Sequence, residues 1–337
     1  YTGAPIRVEA VLANEDVLPP GEYPVAVRVM GPRGVAWERQ TTAVLPEPEE
    51  GQDPPFAVPV LLEDVTIDGP PGVYELAVTM ERGGAPTGGR LKFHLSDASQ
   101  LPRIERQIRA VGLDQRVQSW IPDHALDCSD LTAAPQQREA ILLASAPSDA
   151  AAWRDLAERV ARGSYAIFLT PASLRRGDDP VGGLFLKEKG RFYNFHDWLY
   201  HKECVARAHP VLDGLAGKGI LDWDYYGPVI THGLFDGQRT REDVIVAAFA
   251  LGYPCPGGYT SGVMMGAYRF GEGMFLVNTL GILENVGHHP AADRLMLNLI
   301  HHAAETTQTP LAPLPQDFAE RLTAIGFWIP SRPKLKE

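Results

Sequence analysis

The sequence predicts a multi-domain chain: an all-β module followed by an α/β module built on an open parallel sheet. Three observations carry the prediction. Apolar residues alternate with period two between Pro/Gly turns through the first hundred residues. A strand–helix–strand phrase spans residues 140–169. At 337 residues the chain is long for one domain and ample for two cores.

In the first module Ile6, Val8, Ala10 and Leu12 alternate with Arg7, Glu9 and Val11, the pattern of a strand with one buried face. The period returns at Tyr23, Val25, Val27 and Val29, at Tyr74, Leu76, Val78 and Met80, and at Leu91, Phe93 and Leu95. Turn signals at 19–21, 31–32, 69–72 and 83–84 separate these runs. About seven short strands spaced in this way predict an immunoglobulin-like sandwich over 1–98. The acidic, Pro-rich stretch 46–55 reads as an exposed loop.

The second module opens with a predicted helix over 101–111. The run AILLA at 140–144 suits a buried strand. Ser148 is placed to cap the following helix, whose apolar face is Trp153, Leu156, Ala157, Val160 and Ala161. Gly163 stands where that helix ends, and 165–169 forms the next strand, stopped by Pro171. The result is a βαβ unit, hence a parallel sheet. Residues 244–251 read as a strand or a buried helical segment. Strands at 263–270 and 274–279 are joined at Gly271-Glu272-Gly273, a hairpin signal. Pro290 opens a helix through His302, with Leu295, Leu299 and His302 near one face. The α/β domain is thus expected over 99–305. A Pro-rich tail follows over 306–337, with a short helix near 316–325 and Phe327 and Trp328 as anchors.

Composition narrows the function. Apolar residues make up 45% and charged residues 22%, ordinary for a globular chain. The net charge of −11 argues against nucleic acid and against an anionic membrane as partner. No run of about 18 apolar residues is present to span a bilayer. Tyr1 stands first, without a charged-then-apolar leader, which reads as a processed chain or a fragment. The three cysteines, Cys128, Cys204 and Cys255, lie far apart and are expected as free thiols.

Several clusters carry chemistry-bearing side chains. Gly258-Tyr259-Thr260-Ser261-Gly262 has the glycines of a nucleophile elbow, but Thr260 holds the centre and a hairpin follows, so a structural loop is expected. His196, Asp197, His201, Cys204 and His209 form the densest metal-capable group. His201 and Cys204 could share a helical face, yet the step from His196 to His201 spreads the ligands, and no metal or other cofactor is expected. Local capping accounts for His288-His289. The loop 214–219 lacks the frame of a phosphate cradle. Asp222-Trp223-Asp224-Tyr225-Tyr226 combines aromatic platforms with carboxylates that would point the same way from a strand, a composition suited to sugar contact.

The phrase IRVEAVLANEDVL at 6–18 resembles a β-sandwich of large bacterial family 2-like glycoside hydrolases, the β-galactosidase/β-glucuronidase class. HPVLDGL at 209–215, GEGMFLVNT at 271–279 and PAADRLMLNL at 290–299 resemble the class I glutamine amidotransferase-like domain near the C-terminus of some of them. The resemblance covers about 300 residues. It implies a flavodoxin-like (glutamine amidotransferase-like) three-layer α/β domain that lacks the family's Cys nucleophile. It also implies that the catalytic Glu pair belongs to a (β/α)8 barrel, for which this chain has no room. Asn14-Glu15 mimics the barrel's acid/base pair but ends a sandwich strand. The expected function is therefore a non-catalytic C-terminal accessory region acting as spacer and as oligomerisation or active-site-shaping module, with no catalytic residue of its own. Its expected partners are the remainder of a larger glycoside hydrolase chain, a carbohydrate and a homo-oligomer. The alternatives are a carbohydrate-binding protein using Asp222, Trp223, Asp224, Tyr225 and Tyr226, or an autonomous hydrolase around His196, Asp197, His201 and Asp224.

Overall fold

The computed structural model describes residues 1–14, 18–53, 55–84, 87–104, 107–124, 127–131, 134–174, 191–194, 201–217, 219–237, 242–251 and 258–325. The chain divides into two compact units, Tyr1–Gln100 and Leu101–Glu337.

The first unit holds six strands among its described residues: β1 (Pro5–Ala13), β2 (Gly21–Gly31), β3 (Gly34–Leu45), β4 (Ala57–Thr66), β5 (Gly72–Met80) and β6 (Gly89–Leu95). All pairings are antiparallel, giving a two-stranded sheet β1-β4 and a four-stranded sheet β3-β2-β5-β6. Tyr23, Val25, Val27 and Val29 of β2 and Val8 of β1 all enter one core, as their alternation predicts. Six strands stand where about seven were expected. Two tyrosines pin turns from inside this core: the Tyr23 hydroxyl donates to the Pro19 carbonyl at 2.7 Å and Tyr74 to Pro70 at 2.8 Å.

The second unit begins with β7 (Gln107–Val111), α1 (Gln115–Trp120), β8 (Asp127–Asp130), β9 (Ala140–Leu143), α2 (Ala150–Ala161) and β10 (Tyr165–Phe168). It continues through β11 (Arg191–Asn194), β12 (His201–Ala206), α3 (Trp223–Tyr226), β13 (Gly233–Asp236), β14 (Asp243–Leu251), β15 (Tyr259–Phe270) and β16 (Gly273–Asn278). The helices α4 (Ile282–Asn285), α5 (Pro290–Thr306) and α6 (Phe318–Ala324) complete it. One ten-stranded sheet organises the unit. Its five parallel strands lie side by side as β8-β7-β9-β10-β16, which in chain order is 2-1-3-4-5. Antiparallel strands β11 to β15 extend the β16 edge.

Side-chain alternation divides the core into two layers. Leu142 and Ile167 face α1 and α5, while Ile141, Leu143, Ala166 and Phe168 face α2 and α6. Helices therefore cover both faces, as continuous apolar strands such as AILL require. The predicted βαβ unit is present, with β9 and β10 parallel and in direct register.

Two local expectations are corrected and one alternative is resolved. Residues 107–111 form a strand instead of part of a helix, because Ile108 and Ala110 are buried on alternate positions. Leu101, Ile104, Ile108 and Val111 also fit a helical spacing, so the sequence pattern was degenerate. Asp149, and not Ser148, caps α2, accepting from the Ala152 N–H at 2.9 Å. Residues 244–251 lie within a strand, β14, which leaves the helical alternative aside.

Candidate functional site

The segment 209–226 runs beside α5 from its end toward its start. The His209 ring meets His302 edge-on at 4.8 Å, the Asn298 amide donates to the Val211 and Asp213 carbonyls at 2.9 Å each, and Tyr225 lies 6.3 Å from His289, the α5 cap. The turn that carries the five residues expected to meet sugar thus touches the beginning of α5 through Tyr225.

They sit on a helical turn and not on a strand, which corrects the expected alignment of Asp222 with Asp224. Asp222 is the cap, accepting from the Tyr225 N–H at 2.9 Å, a role that short acidic side chains fill ahead of a helix. Tyr225 and Tyr226 are 7% and 2% exposed and meet edge-to-face at 4.8 Å. The Tyr226 hydroxyl donates to the Ala216 carbonyl at 2.5 Å, and burial pushes its pKa up. Trp223 is 56% exposed, and Asp224 is exposed beside it. Three of the five side chains therefore hold the turn, and two face solvent.

This turn belongs to the end of the sheet where the parallel strands finish. The Gly281 N–H donates to the Val229 carbonyl at 2.8 Å and the Thr231 hydroxyl to the Thr279 carbonyl at 2.6 Å, tying residues 229–231 to the exit of β16. In open α/β sheets ligands favour the carboxyl ends of strands where strand order reverses, here between β7 and β9. Gly112 and Ser145 stand at that point. Gly112 has φ +71°, and a Cβ there would come 1.9 Å from the Ser145 Oγ. Asp114 caps α1 through the Val117 N–H at 2.9 Å. After β10 the Ser173 hydroxyl donates to the Thr170 carbonyl at 2.6 Å. At the end of β16 the Asn278 amide donates to the carbonyls of Leu169 and Leu280 at 2.8 Å each, and the Thr279 hydroxyl donates to the Gly233 carbonyl at 2.8 Å. These groups brace the loops, while Ser145 is exposed. Sequence reasoning missed the pairing of Gly112 with Ser145; the signal was a glycine directly after the alternating residues of β7.

The other clusters resolve differently. Residues 195–200, which include His196 and Asp197, and Cys255 lie outside the described residues, as do Phe327 and Trp328. His201 and Cys204 belong to a strand, β12, and not to a helix, so the expected helical face is corrected. The Cys204 Sγ is buried 3.4 Å from the Met264 Sδ. Cys128 and Cys204 are free thiols, and burial raises the pKa of Cys128. Among the described residues no three His, Cys, Asp or Glu side chains gather to hold a metal ion. The 258–262 glycine pair runs into β15, where a Cβ at Gly262 would meet the Phe235 carbonyl oxygen at 2.3 Å. His289 caps α5 by accepting from the Ala291 N–H at 3.2 Å, and Asn14 bridges its loop by bonding the Leu18 backbone twice.

A half-buried polar cluster that sequence reasoning did not assemble lies at the far end of α5. The His209 Nε2 is 3.3 Å from the Asp243 carboxylate, and its Nδ1 accepts from the Val211 N–H at 3.2 Å. His302 packs between His209 and the buried ring of Tyr165. Burial lowers the pKa of both histidines, against the opposing pull of Asp243.

No family model and no curated protein matches the chain. Among solved structures, a cytoplasmic protein from Salmonella typhimurium is similar at 10% identity and a TM-score of 0.32, over 68% of this chain and 95% of that one. A β-galactosidase from Bacillus circulans sp. alkalophilus is similar at 11% identity and a TM-score of 0.25, over 56% of this chain and 25% of that one. The likeness to a β-galactosidase is thus weak and confined to part of each chain.

Proposed function

We propose that the chain is a non-catalytic accessory region of a glycoside hydrolase acting on β-linked sugars, joined in nature to the rest of that enzyme. In this reading residues 1–98 form an immunoglobulin-like spacer. Residues 99–305 form a flavodoxin-like, glutamine amidotransferase-like domain that supports homo-oligomer assembly or shapes the mouth of a distant active site. The observation that supports it best is the way the hydroxyls of Ser173 and Thr279 are engaged by backbone carbonyls at the carboxyl edge of the sheet. Side chains bound in this way brace loops and are not poised for nucleophilic attack.

The test pairs an assay with a mass measurement. The isolated chain should leave aryl β-glycosides unhydrolysed and should form a defined oligomer by light scattering. Turnover within the usual enzyme range of roughly 1–10³ s⁻¹ would overturn the reading. A second reading, carbohydrate binding, is favoured by the exposed Trp223 indole beside Asp224. Calorimetric titration with β-linked oligosaccharides checks it: heat that disappears in Trp223→Ala supports binding there, and no heat in the parent chain removes it.

A further inference from the structure

The sheets of the first unit are unequal in width, and the mismatch leaves an apolar slot. Among the described strands β1 pairs with β4 alone, while four strands lie opposite. Burial of the inner face fades across the wider sheet as a result. Val29 on β2 is fully buried, its cross-strand neighbour Leu76 on β5 is half-buried, and Leu91 on β6, opposite Leu76, is 60% exposed. The pairs Val27–Val78 and Val25–Met80 show the same decline from β2 to β5. The slot beside them has a volume of about 620 Å³ and runs between residues 9–14 and residues 88–91.

The wall along β1 identifies what the slot would take. Consecutive residues of a strand send their side chains to opposite faces. A wall that includes every residue from 9 to 14 is therefore the backbone edge of that segment. Such an edge presents N–H and C=O groups at strand spacing, which a second polypeptide strand can pair in register and an acyl chain or sugar cannot. The floor has the matching period. Leu76, Val78 and Met80 stand at i, i+2 and i+4, about 6.8 Å apart, the spacing of every second side chain on an incoming strand. A second copy of this chain does not fit by presenting its own β1. The inner face of that strand is already covered by its own β2 sheet, which would overlap β5 and β6 of the first copy. Charge selects further: residues 1–100 contain fifteen acidic and seven basic side chains, Glu9 lines the slot, and Arg90, which also lines it, is held by Glu75.

We infer that this slot is a strand-acceptor site. Its occupant is a single extended segment of a partner polypeptide, with apolar side chains at alternate positions and basic ones between them, which adds to the free edge of β1. The inference stands apart from the role proposed for the α/β unit.

The test titrates the whole chain with a nine-residue peptide of alternating lysine and valine, following the methyl signals of Leu76, Val78 and Met80 by NMR. Saturable shifts centred on these methyls are expected. Binding should weaken at least tenfold for a peptide of the same composition with the alternation broken. It should also vanish for one of the two peptides N-methylated at alternate positions, because that substitution removes the donors that face β1. Leu91→Asp, an exposed position, should weaken binding at least tenfold while circular dichroism stays unchanged. No saturable binding, or binding indifferent to N-methylation, overturns the inference. Self-association by sedimentation that Leu91→Asp abolishes also overturns it, since the slot would then belong to a second copy.

Discussion

The guanidinium of Arg159 on α2 meets the carboxylate of Glu139, just before β9, at 2.7 Å, with the two side chains only 3% and 7% exposed. Glu139 also accepts from Arg109 of β7 at 3.0 Å, and Arg159 holds Asp155 at 2.7 Å. One carboxylate thus bridges a helix and two neighbouring strands of the parallel sheet. Burying ions is unfavourable unless each is matched, so losing one partner is worse than never having had the pair. Glu139→Gln leaves Arg159 buried with its main counter-charge gone. It should lower unfolding stability by roughly 3–5 kcal/mol in denaturant titration. A loss below ~1 kcal/mol would mean that Asp155 alone neutralises Arg159.

The histidine cluster predicts an acid-labile structure. Burial lowers the pKa of His209 and of His302 in the fold, and His209 opposes His302 further. A group whose folded pKa lies below its unfolded value binds fewer protons folded than unfolded, so the stability it contributes is present at high pH and is lost on acidification. The loss begins near the unfolded histidine value of about 6.5 and continues as pH falls through the lowered folded values. The paired carboxylates Glu242 and Asp317, also lowered, begin to lose their share only below about 4.5. Thermal midpoints measured from pH 7.5 to 5 should therefore fall, and His302→Gln should flatten that slope. An unchanged slope in the variant would remove His302 as the cause.

Much of the architecture was legible in the residues and much was not, for physical reasons. The continuous run AILL and the face Trp153, Leu156, Val160 each have one stable burial solution, so the βαβ unit could be read directly. Ile104, Ile108 and Val111 satisfy a helical spacing while Ile108 and Ala110 satisfy a strand spacing, and only pairing with β8 and β9 decides between them. At 222–226 the composition was informative but the geometry was not. An Asp followed by aromatics is a sound strand fragment, and the three-residue reach of its cap bond makes it a turn. The Gly112–Ser145 approach and the His209–His302–Asp243 cluster join residues distant in sequence, so no local pattern announces them.

The division of the aromatic turn predicts opposite outcomes for neighbouring residues. Trp223→Ala removes an exposed side chain and should change stability by no more than about 0.5 kcal/mol. Tyr226→Phe leaves the half-buried Ala216 carbonyl without its donor and should lower stability by roughly 1–3 kcal/mol. Denaturant midpoints of the two variants measured side by side check the contrast. Equal losses would show that the Trp223 ring is held as firmly as Tyr226.

The β15–β16 hairpin rests on a glycine for two separable reasons. Gly271 has φ +64°, in the left-handed region, and a Cβ there would lie 2.4 Å from the Ala161 carbonyl oxygen at the end of α2. Gly258, at φ +83°, has open space around the same position. Left-handed backbone alone costs a residue with a Cβ about 1–2 kcal/mol. Gly258→Ala should show that loss and little more. Gly271→Ala should exceed it, because α2 must move from the hairpin and neither Ala161 nor the backbone at 271 is a flexible side-chain end. The glycine thereby sets how closely α2 approaches β16, the strand whose exit is bonded to residues 229–231 beside the aromatic turn. Hydrogen exchange at the Gly281 N–H should rise in Gly271→Ala and stay unchanged in Gly258→Ala, and equal exchange in both would uncouple the hairpin from that end of the sheet.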